Sequence, residues 1–224
     1  MGITKFLFLA LIAFASAKNL VFIGDSRTVG IAVYLFKFDF YEVTNYYGTG
    51  TNVVGLNAVT YQGHSVKAIA ETGASYSQFT NTNKAVYKGI HTALSTSASG
   101  TIVLLWLGVN GLNDNGTFQL YKSLAQKYTK LTFYAISVTG VVPSLSNISN
   151  DSIKNFNSAL KQKINSAGLS NLKYKSILLN DDPTRVAMNG DVVLTINTST
   201  TDTYGLHYNT NGYKAIVNAM LSGI

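Results

Sequence analysis

Leu20-Val21-Phe22-Ile23-Gly24-Asp25-Ser26-Arg27-Thr28-Val29-Gly30 reads as a short strand, a tight turn and the start of a helix. Four apolar residues in a row suit a strand covered on both faces. Gly24 and Asp25 are turn residues, and the stretch from Thr28 to Phe36 reads as helix. A serine at such a corner stands at the C-terminal edge of a sheet, beside helix N–H groups that favour negative charge. An α/β protein can hold a nucleophile there. Taken alone, Ser26 reads better as the helix cap, since serine is a favoured N-cap residue.

Outward from this corner, strand-length apolar runs alternate with helix-period stretches. Strands are predicted over Asn19–Ile23, Val66–Ala70, Thr101–Leu107, Leu131–Val138 and Tyr174–Leu179. Helices are predicted over Asn83–Leu94, Phe118–Tyr128, Asn150–Asn165 and Thr210–Leu221. The alternation implies an α/β fold, a three-layer α/β/α sandwich around a mostly parallel five-stranded sheet. Tyr46–Gly63, rich in Gly, Asn, Thr and Tyr, has no clear period and reads as a long surface excursion.

Before the first strand, one lysine precedes the apolar run Phe6–Ala15, which ends in Ala15-Ser16-Ala17. The run is short for a membrane span and closes on a small-x-small site, so Met1–Ala17 reads as a removed secretion signal. The expectation is a secreted, extracellular protein, free of the membrane after cleavage, with residues 18–224 forming one domain. The chain has no cysteine, so its stability rests on a core, not on disulfides. Three scattered histidines argue against a zinc site. The net charge of +7 is dispersed over helix faces and loops, which argues against nucleic acid as a partner. Asn115, Asn147, Asn150 and Asn197 head sequons that would carry glycans in a eukaryotic secretory route.

In an open parallel sheet, ligands bind beyond the C-terminal ends of the strands. Ser26 follows the first strand, Gly73 the second and Gly108-Val109-Asn110 the third, while His207 precedes the last helix. These residue types permit acyl transfer. His207 can take the proton from Ser26, and the N–H groups of Ser26 and Gly73 with the Asn110 amide can receive an oxyanion.

Together the four blocks resemble those of the SGNH, or GDSL-like, hydrolases. Gly24-Asp25-Ser26 with Gly30 is similar to the first block, Gly73 to the second, Gly108-x-Asn110 to the third, and His207 with the following Asn211-Gly212-Tyr213 to the last. The resemblance spans nearly all of residues 18–224. It implies a flavodoxin-like sheet, a serine esterase or lipase activity with Ser26 and His207 catalytic, and no metal or other cofactor. Two positions depart from the pattern. Gly111 follows Asn110 where the family has Asp, and Tyr204 stands three residues before the histidine where the family has Asp. Asp202 is the nearest acid to His207 and the expected third member. Otherwise a backbone carbonyl or another acid orients the imidazole of a Ser–His dyad.

Other residues have plainer readings. Asp25 is expected to turn away from its neighbour into turn hydrogen bonds, His64 and His91 to be structural or exposed, and Trp106 to pack in the core. Arg27 either touches substrate or caps a loop, and the Tyr/Asn-rich 45–63 region either lines a carbohydrate subsite or is a polar loop. The substrate class expected from secretion and family habit is a small-molecule or carbohydrate ester, short acyl or acetyl. The missing Asp at position 204 motivates a rival reading, a catalytically inactive glycan-binding or adhesion protein on the same fold.

Overall fold

The computed structural model describes residues 17–38, 52–188, 191–195 and 205–224, with side chains at all of these but 52–54, 188 and 191–195. Met1–Ser16, Asn197 and Asp202 therefore lie outside the described residues. Six described strands form one sheet: β1 (Asn19–Gly24), β2 (Asn52–Tyr61), β3 (His64–Glu71), β4 (Ile102–Trp106), β5 (Thr132–Ile136) and β6 (Leu172–Lys175), in the order β2-β3-β1-β4-β5-β6. β3, β1, β4, β5 and β6 run parallel, and β2 lies antiparallel on the edge of β3. Among the described residues six α-helices accompany them: α1 (Ser26–Tyr34), α2 (Tyr76–Thr80), α3 (Ala85–Thr96), α4 (Asp114–Lys127), α5 (Asn150–Ser166) and α6 (Thr210–Leu221). A ribbon of β7 (Arg185–Met188) and β8 (Asp191–Thr195) stands apart from the main sheet.

The three layers follow from the pleat. Alternate residues of a strand face opposite sides, and in β1 Val21 and Ile23 enter one core cluster while Leu20 and Phe22 enter the other. The first cluster is closed by Val86, Ile90 and Leu94 of α3, Tyr121 and Leu124 of α4, and Ile153, Phe156 and Leu160 of α5. The second is closed by Ile31 and Ala32 of α1 and by Tyr213, Ile216, Val217 and Met220 of α6. Trp106 is buried in this second cluster, and its indole N–H donates to the Ser137 carbonyl at 3.2 Å.

The sheet has one strand more than the sequence pattern suggests. β2 lies within the stretch read as an excursion, where Gly55 and Asn57 break the apolar alternation. Its register on β3 shifts by two residues between Gly55 and Val59, so no single period runs through it. A two-residue turn with positive φ at Gln62 (48°) and Gly63 (79°) joins it to β3, which matches the right-handed twist of a hairpin. β6 also begins and ends earlier than Tyr174–Leu179. β5 stops at Ile136, and beyond Lys175 the Ile177 N–H finds the Ser137 hydroxyl at 3.0 Å instead of a strand partner.

Among the parallel strands the order is second, first, third, fourth, fifth. The winding direction therefore reverses between β1 and β4, and the crevice beyond their C-terminal ends is where such a sheet accepts ligands. Gly24 pairs with Ala70 of β3 on one side and Trp106 of β4 on the other. Residues 25–26, 71–74 and 107–110 thus leave the sheet along one edge.

Candidate active site

Ser26 is the first residue of α1, and Asp25 is its N-cap. The Asp25 carboxylate accepts from the Arg27 N–H at 3.0 Å. Asp25 thus takes the capping role that Ser26 could have had, and the Ser26 hydroxyl is left to face the edge. The Ser26 Oγ lies 2.7 Å from Nε2 of His207. Ser26 is only 8% exposed, so the pair sits at the floor of the edge and not on an open surface.

Asp25 is almost wholly buried, and burial pushes its carboxyl pKa above the ordinary carboxylate value. The Arg27 charge, N–H bonds from Arg27 and Gly108, and the nearby His207 oppose that rise. Its contacts are those of a turn residue, in keeping with the sequence expectation.

His207 is held by main-chain and side-chain anchors on both flanks. Before it, the Gly205 carbonyl accepts from the Val142 N–H at 3.0 Å, and the Leu206 carbonyl accepts from Nε of Arg27 at 2.9 Å. After it, the buried Tyr208 hydroxyl donates to the Gly140 carbonyl at 2.9 Å and pairs with the Thr139 hydroxyl at 2.6 Å. Asn209 then caps α6, accepting from the Gly212 N–H at 3.0 Å. Asp202 lies outside the described residues.

Gly73 occupies an exposed turn after β3, in which the Ala74 N–H donates back to the Glu71 carbonyl at 3.2 Å. Asn110 follows β4, and its Nδ2 donates to the Ala74 carbonyl at 3.2 Å. The second and third motif loops are therefore tied to each other, and the second hydrogen of the Asn110 amide points elsewhere. Gly108 has φ +146°, and a Cβ there would meet the Phe156 ring at 2.7 Å. Gly111 has φ +143°, a conformation that L side chains rarely adopt, which gives a backbone reason for glycine where the family pattern has Asp. The motif's Gly30 has a different cause: α6 crosses α1 there, and a Cβ would strike the Tyr213 hydroxyl.

Of the two roles its position suggests, Arg27 takes that of a loop cap. It is 1% exposed, and besides Leu206 it donates to the Thr139 carbonyl at 2.8 Å, the Thr139 hydroxyl at 3.2 Å and the Gly140 carbonyl at 3.0 Å. Its guanidinium also lies over the rings of Trp106 and Tyr208 at 5.9 and 5.5 Å. Nothing in the periodicity announces this, because its partners are carbonyls more than a hundred residues away. His91 bonds to the Tyr128 hydroxyl at 2.6 Å, and Nδ1 of His64 accepts from the Lys18 N–H at 3.2 Å, both apart from the Ser26 edge. Among the described residues no group of three His, Asp or Glu side chains gathers as a metal site, and no helix is long and apolar enough to cross a membrane.

Solved structures share this architecture. A protein from Streptococcus pneumoniae is similar with a TM-score of 0.56 at 16% identity, over 93% of this chain and 85% of that one. An extracellular lipase from Streptomyces rimosus gives 0.53 at 12% identity, over 93% and 100% of the two chains. The family 3 carbohydrate esterase of Clostridium thermocellum gives 0.50 at 17% identity, over 91% and 93%. No family model matches the chain, and no curated protein does. The chain shares with these solved structures an α/β/α sandwich around a mostly parallel sheet.

Proposed function

We propose that this protein hydrolyses carboxylic esters through an acyl-enzyme on Ser26. The observation that carries the reading is the 2.7 Å approach of Ser26 Oγ to His207 Nε2 at the sheet's switch-point edge. A hydroxyl is a poor nucleophile until a base accepts its proton, and a neutral imidazole at hydrogen-bond distance is such a base. Ser26 Oγ bonds to the ester carbonyl carbon while its proton passes to His207 Nε2. The carbonyl π electrons move onto oxygen, and the N–H groups of Ser26 and Gly73 with the Asn110 amide receive that charge. Ser26 heads α1, so its N–H has no partner within the helix, and the positive end of the helix dipole adds to the effect. The tetrahedral carbon then expels the alcohol, which leaves with the proton from His207. Water then attacks the acyl carbon as its proton passes to His207, and the tetrahedral carbon expels Ser26 Oγ, which takes that proton back while the carboxylic acid leaves.

Asp202 is the acid proposed to orient His207. A short acyl group, with acetyl on a carbohydrate first, is the proposed substrate, and the protein is proposed to act outside the cell after loss of Met1–Ala17. The fold shared with a carbohydrate esterase and a lipase supports ester chemistry without choosing the alcohol. The test is p-nitrophenyl acetate hydrolysis and fluorophosphonate labelling by the wild type and Ser26→Ala. Hydrolysis is expected to drop on the order of 10⁴-fold or more, with labelling abolished. Equal rates for the two proteins would sink the reading, and a wild type that resists the probe would favour the binding-protein alternative.

A further inference from the structure

We propose that Arg27 is a positioning residue for the Ser26–His207 pair: its guanidinium locks the carbonyl that precedes His207 to the helix turn that carries Ser26. The inference rests on the ester-hydrolase reading for its activity arm, but the geometry stands on its own. Arg27 follows Ser26 directly, so its backbone is fixed to α1 by the Asp25 cap. Its side chain reaches Leu206, the neighbour of His207, at 2.9 Å. One residue therefore joins the two chain segments that must hold Oγ and Nε2 together.

The far side of the clamp is rigid. Thr139 and Gly140 accept from both terminal nitrogens of Arg27, and they belong to the segment after β5, whose backbone is pinned residue by residue. Asn157 accepts from the Val138 N–H and donates to the Val138 carbonyl, both at 2.8 Å. Asn150 does the same for Val141, at 2.8 and 3.1 Å. The Gly140 N–H donates to the Pro183 carbonyl at 2.6 Å. Tyr208, on the other side of His207, seats its hydroxyl on Thr139 and Gly140 as well. The histidine is thus bracketed by two residues that grip one anvil, and Arg27 is the bracket that also belongs to the nucleophile's helix. Burying a guanidinium is costly unless its donors are satisfied. Four acceptors meet it here, three of them main-chain carbonyls, a pattern suited to fixing backbone and not to binding an anion. Lysine keeps the charge but lacks the planar fork, so it cannot span Leu206, Thr139 and Gly140 at once.

The experiment compares wild type, Arg27→Lys, Tyr208→Phe and Ser26→Ala. Tyr208→Phe keeps the buried ring and serves if Arg27→Lys fails to fold. Fluorophosphonate labelling is followed to its end point, and the His207 imidazole resonance, assigned through His207→Gln, is read by NMR. A positioning role predicts complete labelling at a rate lowered about 10–100-fold, with kcat for p-nitrophenyl acetate falling equally and KM within about twofold. It also predicts that the His207 resonance moves in Arg27→Lys and, less, in Tyr208→Phe, in the direction seen for Ser26→Ala. A purely structural role would instead lower the labelled fraction and leave the surviving molecules at the wild-type rate, overturning the proposal. So would a wild-type labelling rate and an unmoved resonance in a folded Arg27→Lys. A wild type that neither hydrolyses nor labels, yet whose His207 resonance answers to Arg27→Lys, would retain the clamp and remove the ester-hydrolase reading.

Discussion

Gly108→Ala is the sharpest perturbation of the turn that aims Asn110. Gly108 stands at φ +146°, in territory that only glycine occupies freely, and holding an L residue there costs of order 1–3 kcal/mol. The new methyl would also lie 2.7 Å from the Phe156 ring and 2.9 Å from Val138 Cγ2. The ring contact is about 0.8 Å or more inside ordinary carbon–carbon distance. Phe156 is 3% and Val138 1% exposed, so neither side chain can swing into solvent. Overpacking a closed core adds about 1–3 kcal/mol. The sum, about 2–6 kcal/mol, is a large share of the ~5–15 kcal/mol that holds a domain together. At roughly 2–4 °C per kcal/mol for a chain of this size, the melting temperature is expected to fall by at least ~4 °C. The turn relieves the clash by shifting, and Asn110 shifts with it. A displacement approaching 1 Å costs on the order of 10²-fold in rate, so kcat on p-nitrophenyl acetate is expected to fall about 10–100-fold. The assay pairs thermal melts with initial rates normalised to fluorophosphonate-titrated sites. Adding Phe156→Leu separates the causes, since recovery in the double variant measures the ring contact and its absence leaves the backbone. A Gly108→Ala protein that melts and turns over like the wild type would refute the reasoning on both counts.

Other expectations are briefer. Asn110→Ala removes one oxyanion donor and should lower kcat about 10²–10³-fold with little change in KM; a KM effect alone would place Asn110 in ground-state binding. Asp202→Asn should lower kcat by up to ~10⁴-fold at unchanged labelling stoichiometry, whereas a loss under about tenfold would point to a Ser–His dyad. His91 supplies a pH signature away from the site. Its burial, and then the Lys127 charge, hold its pKa below 6.5, so near that pH the unfolded chain binds more protons than the folded one. Its contribution is complete above pH 6.5 and is lost as pH falls through the lowered folded value. Melting temperatures of wild type and His91→Gln should therefore converge from about pH 7.5 to about pH 5, and parallel curves would contradict this.

The readable parts of the site share one property: they are local. Ser26, Gly73, Gly108 and Asn110 each sit directly after a strand, and each turn's chemistry is written within a few residues. His207 is legible because it precedes a well-marked amphipathic helix, α6. The strand β2 was hidden because an edge strand with a two-residue register shift, carrying Gly55 and Asn57, shows no period and forms by backbone pairing to β3. The ribbon of β7 and β8 was hidden for a similar reason, being short and carrying its own irregularity between Val186 and Ala187. Asp25 had to be placed before Ser26 could be read, because two adjacent residues could each have capped α1.

The amino-acid sequence by itself determined the layered α/β architecture and which side chains stand at the C-terminal edge of the sheet. Hydrophobic period and turn residues act over a handful of positions, and strand–helix alternation leaves few ways to wind a parallel sheet. Only the tertiary structure decided that Ser26 and His207, 181 residues apart, come within 2.7 Å. It alone decided that Arg27 turns inward onto the Leu206, Thr139 and Gly140 carbonyls. Those outcomes depend on which distant carbonyls are left needing a donor once the core has closed, and no local pattern encodes that.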